Sequence, residues 1–358
     1  MDPINILLIA SVIIIFLIIL IKREPGKRIA FGWMSVRDYD SGMLILKKLL
    51  KEGDVIISTS EIYDDYRNVK LLIECLEDIP MNYYRRITVF VKAGLKEIRL
   101  EHEFDDHSLL ADAPSGMYHN PREFGEHLEQ ILFDFSMLRS RGLSVVIGPH
   151  RIGKSEHLEK KIQICKEFCD KKMADGIGLS ETSPGQLMRA LGVLKNNQNN
   201  VLKFLETEYS ITKRFAEDEL FELCSLHKIT FLAYSPLDRG FWTNKYDKNN
   251  VDKIDDFLKL FDMWKGDRIK INLEERKVFE DYALRYGYEL SEVALMWVLL
   301  QKKIHDLEIL PLFGSENPEH VKDNLYSYAS YENLIEEEIM ELEGIVNRSR
   351  FDIGKRYL

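Results

Sequence analysis

Cysteine is scarce in this chain: 358 residues contain four, Cys75, Cys165, Cys169 and Cys224. Four scattered thiols cannot build the disulfide framework of a small secreted domain, and the nearest two lie four apart in a helical pattern, so reduced, packed side chains are expected. Positive charge is also short: 49 Lys and Arg stand against 59 Asp and Glu, a formal charge of -10. With no basic stripe along the chain, a nucleic-acid partner is not expected. No internal repeat, heptad run or low-complexity linker is visible, which argues against an array. Regular metal-ligand spacing is missing too. Glu103, Asp105, Asp106, His107 and His119 are of the right types but irregularly placed in a segment that reads as loop, so no metal is expected.

One long apolar run is present. Residues Ile4 to Ile21 are uncharged and almost wholly aliphatic, and as a helix they would reach about 27 Å, close to a bilayer core. No basic stretch precedes the run and no small-x-small site follows it, which favours an uncleaved membrane anchor over a signal peptide. Lys22, Arg23, Lys27 and Arg28 follow it while only Asp2 precedes it. The positive-inside rule then places the remainder in the cytosol. The expected organisation is a single-pass anchor over 1–24 and one domain over 25–358.

From residue 28 onward, short β-branched or aliphatic runs alternate with amphipathic stretches, the pattern of βα units around a parallel sheet. Eight strands are expected: Arg28 to Met34, Val55 to Ser60, Ile87 to Gly94, Ser144 to His150, Gly176 to Glu181, Val201 to Glu208, Ile229 to Pro236 and Glu308 to Ser315. Phe124, Leu128, Ile131, Leu132 and Phe135 recur at three and four residues, as a core-facing helical stripe does. Eight such units in roughly 310 residues suit a closed (β/α)8 TIM barrel. An acidic helix, Glu332 to Val346, would pack outside it. The stretch Lys245 to Asp256 reads as a solvated loop.

Gly148-Pro-His-Arg-Ile-Gly-Lys-Ser155 matches a nucleotide triphosphate loop, follows an apolar strand and precedes a helical stretch. Proline and the bulky Arg-Ile pair crowd a loop that must wrap phosphates, and no strand ending in a metal-binding aspartate follows. The competing reading puts His150 at the mouth of the barrel, where βα loops gather active residues. Other strand ends are equally polar. They carry Ser58-Thr-Ser-Glu-Ile-Tyr63, Lys92, Ser180-Glu181, Glu206, Tyr234-Ser-Pro-Leu237 with Gly240, and Gly314-Ser315. Singly, each is more often an ion pair or core residue than a catalyst; their succession at strand ends changes the odds.

Gly176-Ile-Gly-Leu-Ser-Glu181, Glu206-Thr-Glu-Tyr-Ser210 with Arg214, Ala233-Tyr-Ser-Pro-Leu-Asp-Arg-Gly-Phe241 and Phe313-Gly-Ser-Glu-Asn-Pro-Glu-His-Val-Lys-Asp-Asn-Leu325, in that order, resemble the aldo-keto reductase family across 28 to about 345. The wording looks most like its pyridoxal reductase branch. The resemblance implies hydride transfer from a reduced nicotinamide to a small carbonyl substrate, with no metal. It implies Tyr63 as proton donor, Lys92 as the cation beside it and His150 as the group orienting the carbonyl. It further implies that Ser180 and Glu181 contact the carboxamide, that Glu206, standing where many relatives have glutamine, is among the cofactor-binding residues, and that Tyr234 stacks under the nicotinamide. Ser235, Pro236, Leu237, Gly240, Gly314 and Ser315 would lie near the pyrophosphate, and His320 and Asn324 at the adenosine end. NADP(H) is expected ahead of NAD(H), although Glu316 stands where relatives that prefer NADP place Lys or Arg.

The sequence departs from the family at Ser58, where relatives carry an aspartate. A serine supplies no negative charge to balance a buried lysine. Either a carboxylate arrives from elsewhere, Glu61, Asp64 and Asp65 being near in sequence, or the chain is a weak or inactive nucleotide-binding sensor or scaffold at a membrane.

Overall fold

A computed structural model describes residues 27–95, 119–151, 157–247, 249–251, 254 and 256–354. Eight strands form a closed barrel in the order of the chain: β1 Arg28–Gly32, β2 Asp54–Ser60, β3 Ile87–Ala93, β4 Ser144–Pro149, β5 Gly176–Ser180, β6 Leu202–Glu208, β7 Thr230–Tyr234 and β8 Ile309–Phe313. Every neighbouring pair is parallel, and β1 closes on β8 through Ala30↔Leu312 and Phe31↔Phe313. The expected eight-stranded barrel is therefore the observed one.

Alternation along each strand separates two cores. Residues such as Ile29, Val55, Val89, Val145, Leu205 and Phe231 face the surrounding helices. Ala30, Ile56, Phe90, Val146, Phe204, Leu232, Leu310 and Leu312 form a separate cluster filling the barrel. β5 contributes glycine to that layer: a Cβ on Gly178 would stand 2.4 Å from the Phe90 ring, so the aromatic occupies the space a side chain would need. Because the side-chain period is two, the next residue of the same parity after Ile56, Phe90, Phe204 and Leu232 also points inward, above the apolar layer. Those residues are Ser58, Lys92, Glu206 and Tyr234. The strand pattern thus seats the polar groups on a hydrophobic floor.

Polar caps mark where strand-end loops turn into helices. Asn120 caps Pro121–Asp134 in a capping box with Glu123, Ser183 caps Pro184–Val193 with Gln186, and Asn317 caps Pro318–Asn333. In each, proline at the first helical position costs no hydrogen bond, because that amide has no partner in the helix. The acidic C-terminal helix begins at Glu336, later than the sequence suggests, because the preceding helix runs on to Asn333. It packs outside the barrel, where Arg285 and Tyr286 bond Glu341. The stretch read as a solvated loop differs more. Tyr246, Val251 and Ile254 are buried, and Arg276 donates to the carbonyls of Phe241, Thr243 and Tyr246, tying the segment to helix Gly266–Tyr286.

The expected membrane-anchored, cytosol-facing placement needs correction. Among the described residues no helix is long and apolar enough to cross a membrane, and the run 4–21 on which the expectation rested lies outside them. Helix Gly266–Tyr286 has 21 residues but repeats Asp, Glu, Lys and Arg throughout. The apolar helix Leu290–Ile304 has 15 residues, about 22 Å of rise, and is short of a bilayer core. Its apolar faces are buried in the protein's own core. All four cysteines are free and buried, as their scarcity suggested.

Candidate active site

The C-terminal ends of the strands open into a cavity of about 1240 Å³. Tyr63, Lys92, His150 and Ser58 line it, as do Ser180, Glu181, Glu206, Tyr234, Ser235, Pro236, Leu237, Gly240, Gly314, Ser315, His320 and Asn324. Arg214 does not. It pairs with Glu217 and lies over the Trp297 ring, outside the lining.

At the floor, Lys92 is 2% exposed. Its ammonium donates to Ser58 Oγ at 2.9 Å and is ion-paired with the Glu206 carboxylate. Ser58 Oγ in turn donates to Glu206 Oε2 at 2.5 Å. The three carboxylates nearest Tyr63 in sequence are engaged or exposed. Glu61 accepts from the Gly94 amide at 2.6 Å and bonds His127 Nδ1 at 2.8 Å, Asp64 pairs with Arg67, and Asp65 is exposed. Burial alone would lower the Lys92 pKa, but Glu206 and the Tyr63 oxygen outweigh it and hold it above the usual lysine range. Burial raises the Tyr63 phenol while Lys92, by charge and hydrogen bonding, pulls it back.

His150 meets Tyr63 edge to face, with ring centroids 5.5 Å apart, and its Nδ1 lies 2.8 Å from Ser60 Oγ. Its backbone N–H donates to the Ala93 carbonyl at 2.8 Å, continuing the β3–β4 ladder. Burial, then Lys92 and Arg151, push the imidazole well below its ordinary 6.5, so it is neutral at pH 7. Since the unfolded chain takes that proton first, stability present above pH 6.5 is lost as pH falls, by up to about 1.4 kcal/mol per unit. His150→Gln is expected to flatten the fall in stability just below pH 6.5. Denaturant unfolding at pH 5.5 and 7.5 checks this, and unchanged slopes would refute it.

Gly148 and Pro149 are the last residues of β4. A Cβ at Gly148 would sit 1.8 Å from the Gly178 carbonyl oxygen, so this glycine is required by close approach of β5. The phosphate-loop reading loses its first glycine to the sheet; residues 152–156 lie outside the described ones.

The upper walls are strained and charged. Glu181, Ser235 and Arg239 adopt left-handed backbone (φ 50°, 51° and 57°), conformations that cost non-glycine residues energy and cluster at functional sites. Glu208 bonds Arg239 at 2.5 Å and Lys213 at 3.3 Å. Despite burial, these cations hold its carboxyl at about 2. Arg239 also lies 3.7 Å over the Phe261 ring. Arg151, Arg239 and Phe261 line the cavity; the sequence places Arg239 after the seventh strand without a role, and gives Arg151 and Phe261 none. Arg151 and Arg239 directly follow or sit within quoted motifs, whereas Phe261 comes from a segment without a motif. His119, the one described residue of the irregular acidic cluster, gathers with Glu61 and His127, their ligand-type atoms within 4.8 Å of one another. Residues 96–118, Met117 and Tyr118 among them, lie outside the described ones.

The lining fits a dinucleotide. Tyr234 offers a flat aromatic face beside the polar floor. At the far side Gly314 approaches so closely that a Cβ would stand 2.7 Å from the Gly32 carbonyl oxygen. The N-terminus of helix Pro318–Asn333 follows directly, a partial positive charge suited to phosphate.

The Aldo/keto reductase family profile matches residues 28–347. The chain is 22% identical over 303 residues to a probable aldo-keto reductase 1 of Glycine max, covering 84% of this chain and 78% of that one. It is 25% identical over 214 residues to a probable pyridoxal reductase 2 of Schizosaccharomyces pombe, covering 58% and 60%. In fold it is similar to a glycerol dehydrogenase from Gluconobacter oxydans, with TM-score 0.69, 18% identity and coverage of 93% and 95%. A profile match over nearly all of the barrel, together with a closed eight-stranded parallel sheet, shows that this chain belongs to the aldo/keto reductase family of oxidoreductases.

Proposed function

We propose that this protein reduces an aldehyde or ketone to the alcohol, with Tyr63 giving the proton. The observation that carries the reading is the convergence of Tyr63, Lys92 and His150 on one cavity floor, with Lys92 charged and beside the phenol. NAD(P)H, when bound, would supply the hydride for the carbonyl carbon and so be the reductant of the reaction. The carbonyl oxygen becomes a hydroxyl by taking the Tyr63 proton, and solvent restores that proton. Lys92 stabilises negative charge on the phenol oxygen as the proton leaves, an electrostatic effect that is strong in a dry site. Ser60 Oγ gives its one proton to the Lys92 carbonyl at 3.0 Å, so it accepts from His150 Nδ1 at 2.8 Å. In the neutral ring Nε2 is left as an acceptor, the tautomer that receives a hydroxyl proton and so orients the oxygen of the alcohol.

Tyr234 would stack on the nicotinamide, with Ser180 and Glu181 at its carboxamide. Ser235, Pro236, Leu237, Gly240, Gly314 and Ser315 would border the pyrophosphate, and His320 and Asn324 the adenosine. NADP(H) is placed first on the family resemblance. The charges near that end oppose the extra phosphate: Glu316 is exposed, and Lys48 and Lys322 are paired to Glu319 at 2.9 and 4.0 Å. The test titrates NADPH and NADH into the protein by fluorescence, then follows oxidation with aldehydes, pyridoxal among them. Binding with turnover supports the reductase. Binding without turnover supports a nucleotide-sensing module, and no binding ends both readings.

A further inference from the structure

We propose that Glu206 is the counter-ion that positions Lys92: the negative charge absent at residue 58 is supplied from across the barrel by β6, with Ser58 as the neutral link between the two. This rests on the reading of Lys92 as the cation beside the proton donor.

Ammonium, carboxylate and hydroxyl form a closed triangle. Lys92 donates to Ser58 at 2.9 Å, Ser58 donates to Glu206 at 2.5 Å, and Glu206 pairs with Lys92. All three are buried, Glu206 at 4% exposure, so neither charge has water to stabilise it, and an unpartnered charge at this depth would be neutralised. Strand geometry accounts for the meeting. Lys92 and Glu206 share inward parity with Phe90 and Phe204, whose rings pack 5.9 Å apart one layer below, so the two strands' inward residues meet inside the barrel although β4 and β5 lie between them in the sheet. Ser58 has one proton, which it gives to Glu206. Its lone pairs are then free for the ammonium, so the hydroxyl relays no charge but fixes direction.

A consequence concerns the cofactor. With Oε1 on Lys92 and Oε2 on Ser58, the carboxylate has both oxygens engaged and no donor to offer a carboxamide oxygen. Recognition of the carboxamide then falls to Ser180 and Glu181, and Glu206 is a positioning residue instead of a cofactor contact. The two roles predict opposite results for an amide at this position. A glutamine would serve a carboxamide at least as well as glutamate, but it supplies no charge to Lys92.

The experiment compares the wild type with Glu206→Gln, Ser58→Asp/Glu206→Gln, Lys92→Met and Lys92→Met/Glu206→Gln. Glu206→Gln is expected to lower kcat about a hundredfold, to move the alkaline limb of the pH profile downward because Lys92 loses its proton more easily, and to leave the dinucleotide Kd within threefold. Ser58→Asp/Glu206→Gln returns the charge to the other side of the same ammonium and is expected to recover kcat to within about tenfold of wild type. Weakened dinucleotide binding with unchanged kcat in Glu206→Gln would overturn the proposal. So would a folded Ser58→Asp/Glu206→Gln variant as inactive as Glu206→Gln alone. If the wild type turns over no aldehyde, the reductase reading fails while the pairing is still read from thermal midpoints. Losses in Glu206→Gln and Lys92→Met that do not add in the double variant support it, and simple additivity overturns it.

Discussion

Tyr63→Phe is expected to lower kcat for aldehyde reduction by about a hundredfold to ten-thousandfold, the span that a positioned general acid contributes, with dinucleotide affinity unchanged. Its hydroxyl is the only atom removed. The ring is held independently: the Tyr63 amide donates to the Ser60 carbonyl at 3.1 Å, and the ring meets His150 edge to face. The turn beyond it passes through three left-handed residues, Asp64, Asp65 and Tyr66, and is pinned where the Tyr66 hydroxyl donates to Asp134 at 2.8 Å. Phenylalanine keeps these contacts, so a fall in kcat reports the proton. An ordinary phenol gives up its proton near pH ~10, and burial makes that harder. The Lys92 charge offsets part of the cost, which keeps the phenol a donor at neutral pH while easing its ionisation in the transition state. Stopped-flow single turnovers separate this chemical step from product release. A phenylalanine variant whose single-turnover rate matches wild type would remove Tyr63 from the mechanism.

The barrel was legible because both faces of a parallel sheet are covered, so each strand stands out as an aliphatic run between polar stretches. Boundaries were less so. Trp33 and Met34 extend the first run in sequence, yet Trp33–Ser35 is a 3-10 turn, a distinction apolar composition cannot make. Inward parity was implicit in the strands, and the residues at their ends did converge on one cavity. Pairings across the mouth could not be read in advance. Lys92 and Glu206 are 114 positions apart, and Ser60 and His150 are 90 apart, whereas proximity in sequence to Tyr63 points to Glu61, Asp64 and Asp65. In a closed barrel the nearest charge is often on another strand. The gathering of Glu61 with His119 and His127 escaped notice for the same reason, since ligand spacing along the chain carries no trace of a contact made between loops. The membrane expectation came from composition alone in a segment the described residues do not include.

Asp238→Ala is expected to destabilise the fold by about 3–5 kcal/mol, the usual cost of removing one partner from a buried charge pair. Asp238 is 0% exposed and accepts four hydrogen bonds: from Ser210 Oγ at 2.9 Å, Thr212 Oγ1 at 2.7 Å, Lys213 Nζ at 3.1 Å and Trp242 Nε1 at 2.7 Å. Alanine leaves the two hydroxyls able to rotate toward other acceptors, but the indole N–H and the ammonium cannot. Lys213 would retain Glu208 at 3.3 Å, a carboxylate already shared with Arg239. The residue also joins stability to function. It fastens the loop after β6 to the turn after β7, where Asp238 and Arg239 hold left-handed backbone that persists only while the surroundings enforce it. Released, Leu237 and Gly240 would lose their places on the cavity wall, so the dinucleotide Kd should rise along with the loss of stability. Asp238→Asn preserves shape and one acceptor without the charge and should fall between wild type and alanine in both measurements. Thermal melts and dinucleotide titrations of the three proteins check the ranking. An alanine variant that melts with the wild type would show that the four bonds contribute little net stability, and one that melts early yet binds normally would detach the hub from the cofactor wall.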